Sequence, residues 1–241
     1  MSLAHLLAFR DVPTDLLKLV ASFTDPPLLR WQWVMPNDMC LLACSDQHVV
    51  IYNPFGCVNV WTLAGIWVRR WTVPIELVQW DCYLAASPDA IYLSDVLHER
   101  IVEFSWTGQL VRYWPIPPGR MMVQGQELWV HQRCSTYMAW NIHSLQHGSI
   151  LRHDLGPPST NGVMRSTASL SRWGNDWLDC EFSARRLCLR TTSGATVCTW
   201  DLPPRPPDLS HHVRVTTTTR GHVVVLCERT MSVYQCWPFE Q

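Results

Sequence analysis

Downstream of residue 27 the apolar positions come in short runs, several alternating with polar residues and bounded by Gly, Pro, Asn, Asp or Ser, the texture of strands and tight turns. Runs such as VVIYN and VNVWTL are apolar on both faces, which predicts strands covered on both sides. The pattern also recurs. CVNVWTLAGIWVRRWTV, from Cys57, and RIVEFSWTGQLVRYWPI, from Arg100, superpose at a spacing of 43 residues, setting Gly65 on Gly108, Arg69 on Arg112 and Trp71 on Trp114. Each copy reads as two strands joined by a glycine turn. A weaker third copy carries Gly148 and Arg152 in register, and a fourth carries Gly194 and Trp200. Short strands repeated at about this period predict the blades of a β-propeller.

Filling in between the copies gives strands at residues 40–45, 48–53, 58–62 and 66–73, then 77–86, 90–94, 101–106 and 109–116, then 121–123, 128–131, 137–142 and 149–155. A fourth set falls at 164–169, 176–182, 186–190 and 195–202, and only three strands follow, at 213–218, 223–227 and 232–236. The unpaired run LLRWQWV, from Leu28, supplies the missing one. With Leu29 and Arg30 set on Val111 and Arg112, the residues Arg30, Arg69, Arg112 and Arg152 share one outer-strand position, with Cys198 in the fifth copy. Closure by both chain ends leaves no open edge in that blade. The expected fold is thus all-β, a five-bladed propeller over residues 28–241, with six blades as the alternative if residues 203–212 hide more than a polyproline connector.

Residues 1–27 have a different period. Leu16, Val20 and Phe23 fall at helical spacing, with Leu17 and Leu19 widening the apolar face. Asp11 or Thr14 can cap, Pro13 suits a first turn, and Pro26 with Pro27 stops the helix, so a short helical segment precedes the propeller.

Composition narrows the function classes. At 241 residues and 47% hydrophobic the chain can bury a large core, and a formal charge of −1 argues against a broad polyanion-binding surface, so nucleic acid is not an expected partner. The chain has ten cysteines, and Cys40, Cys44, Cys82, Cys188, Cys198 and Cys227 sit singly inside apparent strands; no secretory signal pattern opens the chain, and no apolar run approaches the ~20 residues of a membrane span. Reduced thiols in a cytoplasmic or nuclear protein, with no membrane partner, are expected. Fourteen tryptophans supply large packing units. Lys18 is the only lysine beside eighteen arginines, as GC-rich coding produces.

Candidate chemistry is sparse. Cys40 and Cys44, and His143 and His147, have the spacing of helical ligand pairs but fall in strand and turn, and neither CxxC nor HExxH occurs. No GxSxG elbow or phosphate-binding glycine loop is present. Asp81, Asp95 and Asp179 are acids that could reach a propeller axis, but each reads as a turn or strand-end aspartate. No catalytic residue, metal or cofactor is expected, and the chain reads as non-enzymatic. The arginine column reads as edge protection on outer strands.

Two resemblances bear on this reading. YLSDVLHERIVEFSWTGQLVRYW, from Tyr92, resembles a blade of the NHL or WD-repeat propellers. VPTDLLKLVASFTDPPLLRWQWV, from Val12, resembles an F-box through Val12, Pro13, Asp15, Leu16, Leu17, Val20, Ser22 and Phe23. That resemblance implies docking on a Skp-type adaptor of a cullin-RING ubiquitin ligase through Val12, Pro13, Leu16, Leu17, Val20 and Phe23, with protein partners held by the propeller. Scarcity of lysine suits a receptor held beside a charged ubiquitin enzyme. The alternatives are a scaffold subunit with no ubiquitin role, and a hydrolase or lyase working in the channel.

Overall fold

The computed structural model describes residues 28–35, 41–53, 55–73, 82–132, 139–155, 171–173, 176–181, 186–191, 195–201, 213–218, 220, 222–227 and 229–235. The helical segment read into residues 1–27, the run at 164–169 and the connector at 203–212 lie outside them. Among the described residues the strands form five four-stranded antiparallel sheets, the all-β architecture of a propeller.

The first strand among the described residues is β1 (Leu28–Val34), whose partner β20 lies far along the sequence. It is followed by a sheet of β2 (Leu41–Cys44), β3 (His48–Tyr52), β4 (Cys57–Thr62) and β5 (Trp67–Thr72), paired in chain order. The next holds β6 (Leu84–Ala86), β7 (Ala90–Asp95), β8 (Arg100–Ser105) and β9 (Leu110–Trp114). The third holds β10 (Met121–Gln124), β11 (Glu127–Gln132), β12 (Ala139–Ser144) and β13 (Ile150–Leu155). The fourth comprises β14 (Ser171–Trp173), β15 (Asp176–Glu181), β16 (Arg186–Arg190) and β17 (Thr196–Asp201), and the last β18 (Val213–Thr217), β19 (His222–Cys227) and β20 (Thr230–Gln235), completed by β1. The strand that pairs with β15 begins at Ser171, after the run at 164–169 that the sequence pattern selected. The register Trp173↔Asp176 makes that hairpin tight, so its first strand lies hard against the second.

The burial gradient across a sheet explains the double-sided apolar runs. Residues Val49 to Tyr52 of β3 and Ala90 to Asp95 of β7 are buried throughout, because each strand is flanked by strands on both edges and covered on both faces. One face of β2–β4 meets β6–β8 in a cluster including Val50, Val58, Leu93, Val102 and Phe104. The other face of β2–β4 meets the last sheet through Val49, Ile51, Trp61, Val224, Met231 and Val233. At ~25 cal/mol per Å2 of apolar surface, burying one such side chain stabilises the fold by about 2 kcal/mol. Outer strands are much more open, with the pattern exposed, half-buried, exposed, exposed, half-buried, exposed along β5.

Each of the five outer strands carries a one-residue bulge, between Leu29 and Trp31 in β1 and at the corresponding point opposite Val60/Trp61, Glu103/Phe104, Ile142/His143 and Leu189/Arg190. Such a bulge twists an exposed edge and spoils it as a template for a further strand. The bulges also correct the arginine column. Counting from them, the position of Arg69 and Arg112 in β5 and β9 is held in β1 by Trp31, and Arg30 is the extra residue. Arg30 instead donates from Nε to Gln235 Oε1 at 2.6 Å.

The same count puts Trp33 in line with Trp71 and Trp114, and these three rings join neighbouring sheets. A Cβ at Gly65 would lie 2.9 Å from Trp33, one at Gly108 would lie 2.6 Å from Trp71, and one at Gly148 would lie 2.9 Å from Trp114. Each turn glycine has a positive φ, of 80°, 85° and 69°, so both the backbone conformation and the close approach demand the missing side chain. The repeated glycine and the repeated tryptophan are therefore two halves of one contact, made between one sheet and the next.

Candidate functional site

The innermost strands follow one another in the succession β10, β6, β2, β18, β14. Four of them, β2, β6, β10 and β18, line a cavity of about 70 Å3 on the axis. Its walls include Leu41 to Cys44, Tyr83 to Ala86, Arg120 to Val123 and Arg214 to Thr217. Among the described residues the charged side chains in that lining are Arg120 and Arg214, both half-buried.

Strand register shows that the two arginines stand at one level. Arg214 pairs with Leu226, Leu226 with Met231 and Met231 with Trp33. His131 donates its backbone N–H to the Arg120 carbonyl at 2.8 Å and pairs with Trp140, which pairs with Asp154. Tyr83 reaches Trp114 through Ser94 and Ile101, and Leu41 reaches Trp71 through Tyr52 and Val58. All four rows end three residues beyond an outer-strand bulge, so Leu41, Tyr83, Arg120 and Arg214 occupy one ring of positions around the axis. Arg120 stands immediately before β10 and Arg214 lies within β18.

The remaining polar lining is quiet. Cys44 donates its thiol to Thr216 Oγ1 at 3.4 Å, and burial pushes that thiol up to about 12, which keeps it protonated and unreactive. Next to the junction of β2 and β18, Asp46 accepts from the backbone N–H of Arg220 at 3.3 Å.

The residues singled out from sequence are scattered by the fold. Val12, Pro13, Leu16, Leu17, Val20 and Phe23 lie outside the described residues, as do Cys40 and Asp81. Asp95 is fully buried at the end of β7, where its carboxylate accepts from Arg100 Nε at 2.9 Å, from the His98 backbone N–H at 3.2 Å, and bridges His98 Nδ1 at 2.8 Å, a turn-fixing role. His143 is buried and its Nδ1 donates to the Gly148 carbonyl at 3.1 Å, whereas His147 is exposed, so the two do not converge. Burial holds the His143 imidazole below its ordinary pKa, and the bond to the Gly148 carbonyl partly offsets this. Among the described residues no group of three His, Cys, Asp or Glu side chains is placed to hold a metal ion. No helix of the described residues is long and apolar enough to cross a membrane. Arg120 and Arg214 were missed by sequence reading because each sits alone in its segment, PGRMM and HHVRV, and only the register brings them together.

Neither a family model nor a curated protein matches the sequence. Solved structures match its shape. The glutaminyl cyclase of Myxococcus xanthus aligns with a TM-score of 0.57 at 9% identity, over 88% of this chain and 98% of that one. U3-55K aligns with a TM-score of 0.54 at 9% identity, over 83% of this chain and 78% of that one. The WD40 propeller domain of Doa1 gives a TM-score of 0.44 at 13% identity, over 83% and 64%, which is too low to weigh. At these identities the likeness shows the fold alone. It nevertheless corrects the expectation that the chain is non-enzymatic. That expectation rested on the absence of familiar motifs on a propeller, and a propeller of this shape is the scaffold of an enzyme, so the fold and the missing motifs do not decide the question.

Proposed function

We propose that the chain is a protein-interaction propeller that binds its partner at the end of the axis carrying Arg120 and Arg214. We read the five sheets as blades of one closed ring, with the inner strands as a rigid seat. The observation that carries the reading is the ring of positions Leu41, Tyr83, Arg120 and Arg214 at the mouth of the axial cavity. A photo-crosslinking residue at position 83, compared with one at the exposed position 66 just before outer strand β5, tests it. Protein adducts from 83 and not from 66 support the axial surface, and adducts only from 66 overturn it.

The finer reading is a substrate receptor whose N-terminal segment docks on a Skp-type adaptor through Val12, Pro13, Leu16, Leu17, Val20 and Phe23. It is supported by the F-box-like residue pattern and by the single Lys18. Co-purification with such an adaptor, and its loss in the double change Leu16→Ala, Val20→Ala, is the expected result. A failure to co-purify, with a melting temperature lowered by several degrees in the double change, favours a scaffold subunit whose helical segment packs on its own ring.

A further inference from the structure

We propose that the apolar face of the segment preceding Leu28 docks on the rim of its own propeller, along the outer edges of β1 and β5. Its starting point is a row of exposed apolar side chains. Leu29 in β1, Trp67 in β5, Leu110 in β9 and Ile150 in β13 each hold the position just before the outer-strand bulge, and all four are exposed, Trp67 at 59%. In β17 the same position is Thr196. Contacts between innermost strands set the last, first, second and third sheets side by side, so the row runs unbroken over four neighbours and stops at the fourth sheet. Gly65, two residues before Trp67, lies against Trp33, so the edge of β5 adjoins that of β1. A repeated apolar position left open on strands whose inner neighbours are already packed marks a surface of contact.

The entry of the chain identifies the occupant. The bulges spoil these edges for a further strand, so what binds there uses side chains, as an amphipathic helix does. Residues 1–27 reach β1 at Leu28, the row begins at the next residue, and Leu16, Val20 and Phe23 fall at helical spacing. Four residues, Thr24 to Pro27, separate Phe23 from Leu28, a tether of ~17 Å at full extension. On one side of β1 the next member of the row is Trp67 and on the other the position is Thr196, so the apolar face turns toward β5. Residues 236–241 leave the same edge after Gln235, but six residues make fewer than two helical turns. The row lies four residues back along the outer strands from the level of Trp33, Trp71 and Trp114, so docking there leaves the mouth of the axis free, and the inference is independent of the axial reading. An adaptor would need the same Leu16, Val20 and Phe23, so rim and adaptor compete for one face.

Lys18 is the only lysine, so a lysine-specific protease cuts the full chain once, inside this segment, and the rate of that cut reads release from the rim. A synthetic peptide of residues 1–27 gives the rate for an undocked Lys18, and the full chain is expected to be cut at least roughly tenfold more slowly. Trp67→Ser and Leu29→Ser should each speed the cut by roughly tenfold, since each removes one apolar contact. Leu97→Ser, at an exposed apolar position in the turn between β7 and β8, should leave the rate unchanged. Where a rim change lowers the melting temperature by several degrees, Phe23→Ser makes the same measurement from the other side of the contact. Equal rates in the peptide and the full chain, or protection that neither rim change relieves, overturns the docking. Protection that grows with protein concentration overturns it in favour of a second copy of the chain. Co-purification with a Skp-type adaptor is scored separately. Rim-dependent protection without an adaptor complex keeps the docking and removes the adaptor, and an adaptor complex with an unprotected Lys18 does the reverse.

Discussion

The sheets β2–β5 and β6–β9 hold the same tryptophan position in two different ways. In the second, Trp114 Nε1 donates to Glu103 Oε2 at 2.7 Å, Arg112 Nε donates to the same oxygen at 2.6 Å, and the guanidinium lies 4.2 Å above the Trp114 ring. Arg112 also reaches the carbonyls of Leu145 and Gln146 at 2.7 and 3.1 Å, so the network ties this sheet to the next. In the first sheet the position of Glu103 is held by Val60, opposite Arg69. Trp71 consequently buries its Nε1 with no acceptor and relies on contact with Phe104, 5.0 Å between ring centres, and on the turn at Gly108. What the repeat requires at this site is the ring in its glycine seat. Polar satisfaction is supplied blade by blade.

The largest way to break the comparison is through the seat itself. Gly108→Ala combines a left-handed backbone, at about 1 kcal/mol, with a clash against Trp71 at 2.6 Å, at about 2 kcal/mol, so urea unfolding should show a loss of about 3 kcal/mol. Gly56→Ala has a φ of 75° and open space around it, and should lose only the backbone part. Equal losses at the two positions would show that the tryptophan seat adds nothing.

A smaller effect distinguishes the two tryptophans. Trp114→Phe removes one hydrogen bond from the buried Glu103 and should cost about 1 kcal/mol more in urea than Trp71→Phe, which deletes an N–H that had no acceptor. Removing Glu103 as Glu103→Ala strands both donors and should bring Trp114 to the condition of Trp71, with a loss of about 2 kcal/mol.

The smallest effect is in pH. Burial lowers the pKa of His48, His131, His143 and His222 from the ordinary 6.5. Near and below that value the unfolded chain binds more protons than the folded one, so stability is fully present above pH 6.5 and falls as the solution is acidified through the lowered folded values. A melting temperature that drops gradually below pH 6.5, with a shallower slope in His143→Gln, is the expected result. His143 matters because its Nε2 is buried without a partner, and a proton there would meet no acceptor.

Much of this was legible because each repeat carries its own signals. The 43-residue spacing, the paired hydrophobic runs and the turn glycines marked β2 to β9 to within a residue or two at most ends. The completion of the last sheet by β1 followed from one strand too many at one end and one too few at the other. The bulges were not legible, since an extra residue in a strand has no residue type of its own. That is why Arg30 was set in a column that Trp31 fills. The axial pair was hidden for a related reason. Arg120 and Arg214 are 94 positions apart, and their common level depends on ladders running through six other residues.

The pairing of β1 with β20 has a mechanical consequence. Leu28 lies opposite Gln235 and Val34 opposite Thr230, so the chain enters and leaves this clasp at the same end. A pull applied through residues before 28 and after 235 loads the Leu28–Gln235 rung first and opens the ladder one rung at a time, like a zip. Pulled in shear along the strands, the same six rungs would share the load together. The last sheet is thus completed by a ladder that is weaker to peeling from its Leu28–Gln235 end than to shear along the strands.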